Sequence, residues 1–224
     1  MKLIKPKVEI LDRLDERAIV GRIATVARTC YKSEGMRTAD RDYALIKRLI
    51  ESKHEAMLEF VDVTVKFTCS RAIAQEITRH RMASYAMESQ RYVCYARDKF
   101  NHEITYIIPS HTNYDEGEYS LKYEVANGPF LNSLLYSEKA YFDLIEDGWN
   151  AQEARDVLPN ATKTEINMKA NLREWRHFFK LRCHKTAHPD IRVLALDLLK
   201  QMHEQVPIIF DDLYNTYFTN DSEG

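Results

Sequence analysis

Between residues 60 and 69 apolar and polar side chains alternate without a break. Val61, Val63, Val65 and Phe67 fall on one side, and Asp62, Thr64, Lys66 and Thr68 on the other. Successive side chains of an extended chain point to opposite faces, so a period of two predicts a strand with one buried and one polar face. Such a strand needs partners, and the rest of the chain offers both strands and helices. Residues 7–11 (Val8, Ile10), 104–108 (ended by Pro109) and 165–169 read as further strands. Helical spacing covers 15–29, with Ala18, Ile19, Ile23, Val26 and Ala27 on its apolar side and Asp12 or Asp15 as its cap. It also covers 39–52, where Tyr43, Leu45, Ile46, Leu49 and Ile50 form the expected buried face. Ser70 caps a helix through Ile73 and Ile77 that runs toward Arg79-His80-Arg81. Residues 111–117 read as a polar loop and 119–147 as helix, with Gly128-Pro129 as a kink or break. A short helix over 151–157 is halted by Pro159. Asn171 caps a strongly patterned helix through Leu181, and Pro189 opens the last long one, through Gln205. Strands mixed with clustered helices predict an α+β fold. The 224 residues suffice for a single domain over 1–224, or for two closely joined lobes.

A formal net charge of -2 argues against a general nucleic-acid binder, although a local arginine cluster can still hold a small anion. No apolar run approaches a membrane span, and Met1-Lys2-Leu3-Ile4-Lys5-Pro6 passes at once into charged residues, so neither a membrane anchor nor a secretory leader is expected. Cys30, Cys69, Cys94 and Cys183 form no CxxC pair and no framework spacing, which suits a reducing cytoplasm. No GxGxxG follows any strand, so a dinucleotide would have to be held by side chains.

Two stretches carry candidate chemistry. The first runs from Arg79-His80-Arg81 through Ser89, Gln90 and Arg91 to Tyr92. Guanidinium groups hydrogen-bond phosphate in a planar, multidentate way, and a hydroxyl adds a short neutral donor. The competing reading is a solvated basic helix end, favourable to the helix dipole. The second stretch is Asn171 to Arg182. On a helix Arg173 and His177 lie one turn apart, Arg182 sits at the end, and Leu172, Trp175, Phe178, Phe179 and Leu181 are expected in the core.

The first stretch resembles the signature of the flavin-dependent thymidylate synthases: Arg-His-Arg, seven residues, Ser, and Arg two further on. The second resembles that family's C-terminal helix. His54-Glu55-Ala56-Met57-Leu58-Glu59 resembles its His-Glu-x-x-x-Glu block, and Ala154-Arg155-Asp156-Val157-Leu158-Pro159 its Ala-Arg-x-x-Leu-Pro turn. These four blocks span residues 54–182 in the family's order. The resemblance implies a compact α+β subunit of a homotetramer whose active sites are shared between subunits. It implies an enzyme that methylates C5 of dUMP, with FAD as hydride carrier and NADPH and 5,10-methylenetetrahydrofolate as co-substrates. By motif position Arg79, His80, Arg81, Asn171, Arg173 and His177 would hold FAD. Glu76, Arg79, Met87, Glu88, Ser89, Gln90, Arg91, Arg155 and Arg182 would meet dUMP, with Arg182 against the uracil ring as the catalytic cation.

Some positions depart from the family pattern. Ala86-Met87 stands where an Asn-Glu pair is common, Glu88 is one position off that carboxylate, Glu76 replaces an amide, and His177 stands where some members carry Asn. Cys183 and Ser89 are tempting nucleophiles, but a buried small hydrophobe and a phosphate ligand account for them. Of the His184/His188 pair, Pro189 makes His188 a helix entry rather than a metal ligand, and no metal is expected. Tyr85, Tyr92 and Tyr95 flank the signature and are candidates for a stacking site. Two alternatives stay open: a related flavoenzyme acting on UMP, and a non-catalytic RNA- or anion-binding module.

Overall fold

The structure is a computed structural model that describes residues 1–32, 37–97, 101–120 and 124–219. Strands are β1 (Lys2–Ile4), β2 (Lys7–Ile10), β3 (Asp62–Ser70), β4 (Ala83–Met87), β5 (Thr105–Ile107), β6 (Gly117–Glu118) and β7 (Lys163–Asn171). Helices are α1 (Glu16–Tyr31), α2 (Ala39–Glu51), α3 (Arg71–Ile77), α4 (Glu124–Glu146), α5 (Ala151–Ala154), α6 (Leu172–Arg182), α7 (Pro189–Gln205) and α8 (Pro207–Tyr214). Short 3₁₀ turns occupy Glu55–Phe60 and Arg155–Val157. The α+β expectation holds. Among the described residues no helix is long and apolar enough to cross a membrane.

The chain divides into two compact units. The first comprises Met1–Lys7, Phe67–Thr78 and Ala86–Ile166. Its small sheet has the order β5-β1-β6, with β1 parallel to β5 (Leu3 opposite Tyr106) and antiparallel to β6. Leu3, Tyr95, Tyr106, Leu134 and Tyr141 form its core. The Met1 ammonium is tied to Glu138 at 2.8 Å. The expected division at Gly128-Pro129 is present: Gly128 takes φ 71°, which interrupts α4 before the proline. Residues 121–123 of the helix expected over 119–147 lie outside the described residues.

The second unit comprises Val8–Lys66, Arg79–Tyr85 and Asn167–Gly224. Helices α1, α2, α6, α7 and α8 pack here around Ile23, Ile46, Val63, Trp175, Phe178, Phe179 and Phe210. Trp175 stands edge-on to Phe178 at 5.5 Å between centroids and satisfies its indole N–H on the Val63 carbonyl at 3.0 Å. A four-stranded sheet has the order β2-β3-β7-β4.

Several expectations need correction. Asp15 caps α1 by accepting from Ala18 N, whereas Asp12 accepts from Thr64 N at 2.6 Å. On α2 only Ile46 and Leu49 of the expected face are fully buried, beside a buried Asp42. That carboxylate bonds Arg37 at 3.1 Å and also meets Arg28. Thr68, on the polar face by alternation, is buried, because the last four residues of β3 are covered on both faces. Leu181 is 50% exposed and does not join the core. Its place among the buried residues of α6 goes to Arg176, which is 1% exposed and fully paired: Nε to Glu55 at 3.0 Å, both terminal nitrogens to Asp212 at 2.8 and 2.7 Å, and a further bond to the Ile209 carbonyl. The alternation of β3 is local and therefore readable. The choice between Leu181 and Arg176 depends on acids brought in from distant segments, which no window on α6 contains.

Candidate active site

Helix α6 begins where strand β7 ends, and Asn171 makes the junction: its side-chain oxygen accepts from Glu174 N at 2.9 Å, an N-cap as expected. With the start fixed, the 3.6-residue period puts Trp175, Phe178 and Phe179 inward and leaves Asn171, Arg173, Glu174, His177 and Lys180 on the wall of a cavity of about 390 Å³. Glu55, Glu59 and Met82 complete the lining. Arg173 is paired with Glu59, and Lys180 with Glu55 at 3.4 Å. Arg173 and His177 are therefore brought together, as their spacing predicts.

The basic triplet lies past the end of α3, whose C-cap is Thr78. Arg79 and Arg81 are exposed, but His80 is only 4% exposed, so the three do not act as one solvated cluster. The His80 ring packs 4.9 Å from Phe178 and 6.0 Å from His177. Its Nδ1 lies 3.1 Å from Glu174 Oε1, and its Nε2 accepts from Arg182 Nε at 3.0 Å. Tyr85, on β4, donates its hydroxyl to the His80 carbonyl at 2.5 Å. Burial first, then the charges of Arg182 and His177, hold the imidazole down to about 4. The Glu174 contact is thus a hydrogen bond from a neutral ring at neutral pH, not an ion pair. Burial also raises the Glu174 carboxyl, against the opposing influence of His177, and lifts the Tyr85 phenol to about 12.

His80, Glu174 and His177 have the donor set of a metal site, and their ligand atoms lie within 4.8 Å of one another. Both nitrogens of His80 already serve Glu174 and Arg182, so a cation would have to break one of those bonds. Cys183 directly follows Arg182. It is fully buried, and burial pushes its thiol up to about 12, so at neutral pH it is the small hydrophobe expected rather than a thiolate. His188 caps α7 by accepting from Asp190 N at 3.2 Å, the helix-entry role assigned to it.

The remaining candidates belong to the first unit. Ser89, Gln90 and Arg91 form a tight turn in which the Ser89 carbonyl accepts from Tyr92 N and Val93 N, and the Ser89 hydroxyl from Arg91 N at 3.3 Å. Arg91 is exposed, whereas Gln90 is 6% exposed and turns its side chain inward to the Tyr95 hydroxyl. Glu88 does point elsewhere: its carboxylate pairs with Lys163 at 3.1 Å. Met87 is 41% exposed at the end of β4 and offers no carboxylate. Glu76 and Arg155 are half-buried. Tyr95 is in the core, against Tyr141 at 5.6 Å, and so drops out as a stacking residue. Glu174 was missed in the sequence, where its signal was its place as the acid three residues after the helix cap; Tyr85, a stacking candidate there, instead clamps the His80 carbonyl.

Residues 16–208 match the family model described as thymidylate synthase complementing protein. A flavin-dependent thymidylate synthase of Geobacter sulfurreducens is 34% identical over 197 residues, covering 85% of this chain and 80% of that one. One from Corynebacterium aurimucosum is 32% identical over 210 residues, covering 88% and 80%. Among solved structures, a UMP/dUMP methylase, PolB, from Streptomyces cacaoi bound with 5-Br dUMP aligns with a TM-score of 0.74 at 18% identity, covering 97% of this chain and 98% of that one. At that identity the likeness speaks to the fold.

Proposed function

The chain belongs to the thymidylate synthase complementing family, the flavin-dependent thymidylate synthases, and from that premise we propose how its residues divide the work of methylating dUMP at C5. The observation that carries the reading is the Asn171–Lys180 face of α6: a cavity whose lining residue Glu174 meets the buried neutral imidazole of His80, which in turn accepts from Arg182. FAD fits these residues in part. The cavity lies toward the lower end of ligand-site volumes and carries hydrogen-bonding and cationic groups in Asn171, Arg173, His177 and Lys180, with Arg79 and Arg81 exposed in the same unit. It is small for a whole dinucleotide, which supports a site completed by another subunit of a homotetramer. Arg79, Arg81, Asn171, Arg173 and His177 are assigned to FAD, with His80 behind them rather than in contact.

When bound and reduced by NADPH, FAD supplies the hydride, and 5,10-methylenetetrahydrofolate supplies the carbon. The protein supplies position and field. Ser89 and Arg91 take the dUMP phosphate, Arg155 and Glu76 assist in nucleotide binding, and Arg182 faces the pyrimidine. A guanidinium fixed beside N3 and O2 favours the ionised ring and stabilises charge that develops during attack. Glu88, held by Lys163, and Met87 contribute shape rather than charge. The two compact units work as one synthase domain, and four free cysteines fit a reducing cytoplasm.

The test is product analysis. With NADPH, FAD and methylenetetrahydrofolate, dUMP should become dTMP and the folate should emerge as tetrahydrofolate. UMP should be turned over far more slowly. Dihydrofolate as the folate product, or equal use of UMP, would overturn the reading.

A further inference from the structure

Glu174, His80 and Arg182 form a chain of hydrogen bonds whose polarity the geometry fixes. Arg182 Nε can only donate, so at 3.0 Å from His80 Nε2 it requires a lone pair there. The ring proton is then on Nδ1, which faces Glu174 Oε1 at 3.1 Å. The ring has no room to turn: it is 4% exposed, packed on Phe178, and its own carbonyl is clamped by Tyr85. The groups facing it are Glu174, His177 and Arg182 from α6 and Tyr85 from β4. With its lone pair engaged by a guanidinium and its proton by a carboxylate, the imidazole is unsuited to act as a base. It is suited to hold something still.

We propose that Glu174 and His80 are positioning residues for Arg182: the carboxylate selects the Nδ1–H tautomer, and the lone pair of Nε2 anchors the Nε edge of the guanidinium, so that the fork meets the pyrimidine in one orientation. This rests on the assignment of Arg182 to the pyrimidine. The logic is that of a carboxylate orienting a histidine, with the difference that the histidine here directs a cation and transfers no proton. In the other tautomer, or as imidazolium, the ring would turn an N–H against the Arg182 Nε–H and release the guanidinium.

The test uses FAD-loaded protein and 5-fluoro-dUMP, whose fluorine shift reports ionisation of N3 without turnover. Bound to the unmodified enzyme, N3 should titrate below its value in free ligand. Glu174→Gln should raise that value by about one unit, a tenfold change in the ionisation equilibrium. It should also lower kcat on dUMP by about 10- to 100-fold, the range for partners that orient a histidine from behind, with little change in KM. Arg182→Lys should raise the N3 value as well, and adding Glu174→Gln to it should do nothing more. If Arg182→Lys shifts N3 but Glu174→Gln does not, or if the two effects add in full, the positioning chain is wrong while the role of Arg182 stands. If Arg182→Lys leaves N3 unmoved, the assignment of Arg182 falls and this proposal with it. Because Glu174 also lines the cavity, flavin content is measured in each variant. Loss of FAD as the sole effect of Glu174→Gln would overturn the proposal.

Discussion

Losing Arg91 and losing Arg182 should have different kinetic consequences, because one charge meets a group that does not react and the other a ring that does. A phosphate contact is present in ground and transition states alike, so Arg91→Ala should mainly raise KM for dUMP. Arg182→Lys keeps the charge but loses the planar fork and the Nε–H that His80 holds, and kcat should fall by roughly 10²-fold. Cys183→Ala should stay within a few-fold of the unmodified kcat. Steady-state kinetics at saturating folate check all three, and a dead Cys183→Ala beside a normal Arg182→Lys would reverse the assignments. His80 adds a pH signature. Its folded pKa of about 4 lies below the ordinary 6.5, so the unfolded chain binds the extra proton between those values. Its contribution to stability is complete above about pH 6.5 and is lost as pH falls toward 4. Glu174, raised by burial, acts in the opposite sense, so the informative quantity is the difference between the unmodified protein and His80→Gln. Chemical denaturation should show the unmodified protein losing stability more steeply over that window, and parallel curves would contradict it. At this scale the sequence was most legible where a role is local, as in the Asn171 cap and the His188 helix entry, whereas the burial of His80 depends on Phe178 and Glu174, nearly a hundred residues away.

Helix α6 joins stability to function. Its inward face is held by apolar packing and, unusually, by Arg176, whose guanidinium neutralises Glu55 and Asp212 and caps the Ile209 carbonyl. Burial pushes the Asp212 carboxyl up, yet the Arg176 bond and charge prevail and hold it below its usual range. Arg176→Ala leaves the Glu55 carboxylate, 14% exposed, and the Ile209 carbonyl without their donor, while Asp212, 49% exposed, falls back on solvent, so the cost is about 3 kcal/mol, the low end for a broken buried pair. The thermal midpoint should therefore drop by roughly 6–12 °C. Replacing Arg176 by Met together with Glu55→Gln and Asp212→Asn should restore part of the loss, as differential scanning calorimetry can show. An unchanged midpoint in Arg176→Ala would mean that solvent reaches this network. The helices and long strands were readable because caps and periodicity are local: Asn171, Ser70 and Pro189 each begin the element expected of them. β1, β4, β6 and α8 were not anticipated. Three of them have five residues or fewer and no room to display a period, and β1 and β6 exist only through pairing with distant chain.

For the whole molecule, the FAD candidates and Arg182 fall in one compact unit and Ser89, Gln90, Arg91 and Arg155 in the other, a division no spacing in the sequence reveals. The tetramer proposed for this chain predicts that light scattering finds about four subunits at working concentration. It also predicts that mixing Arg91→Ala with Arg182→Ala subunits, assayed at dUMP well below the raised KM of Arg91→Ala, regains part of the activity each lacks alone under those conditions; a fully active monomer would contradict the shared site. The central claim is flavin-dependent methylation of dUMP by a fold with no Rossmann motif, and the flavin spectrum tests it most directly. The purified protein supplied with FAD should show an oxidised flavin band that bleaches with NADPH in the absence of oxygen, and that returns when dUMP and methylenetetrahydrofolate are added together but with neither alone. A protein that stays colourless and binds no FAD by calorimetry, or a reduced flavin indifferent to the two substrates, would contradict the account.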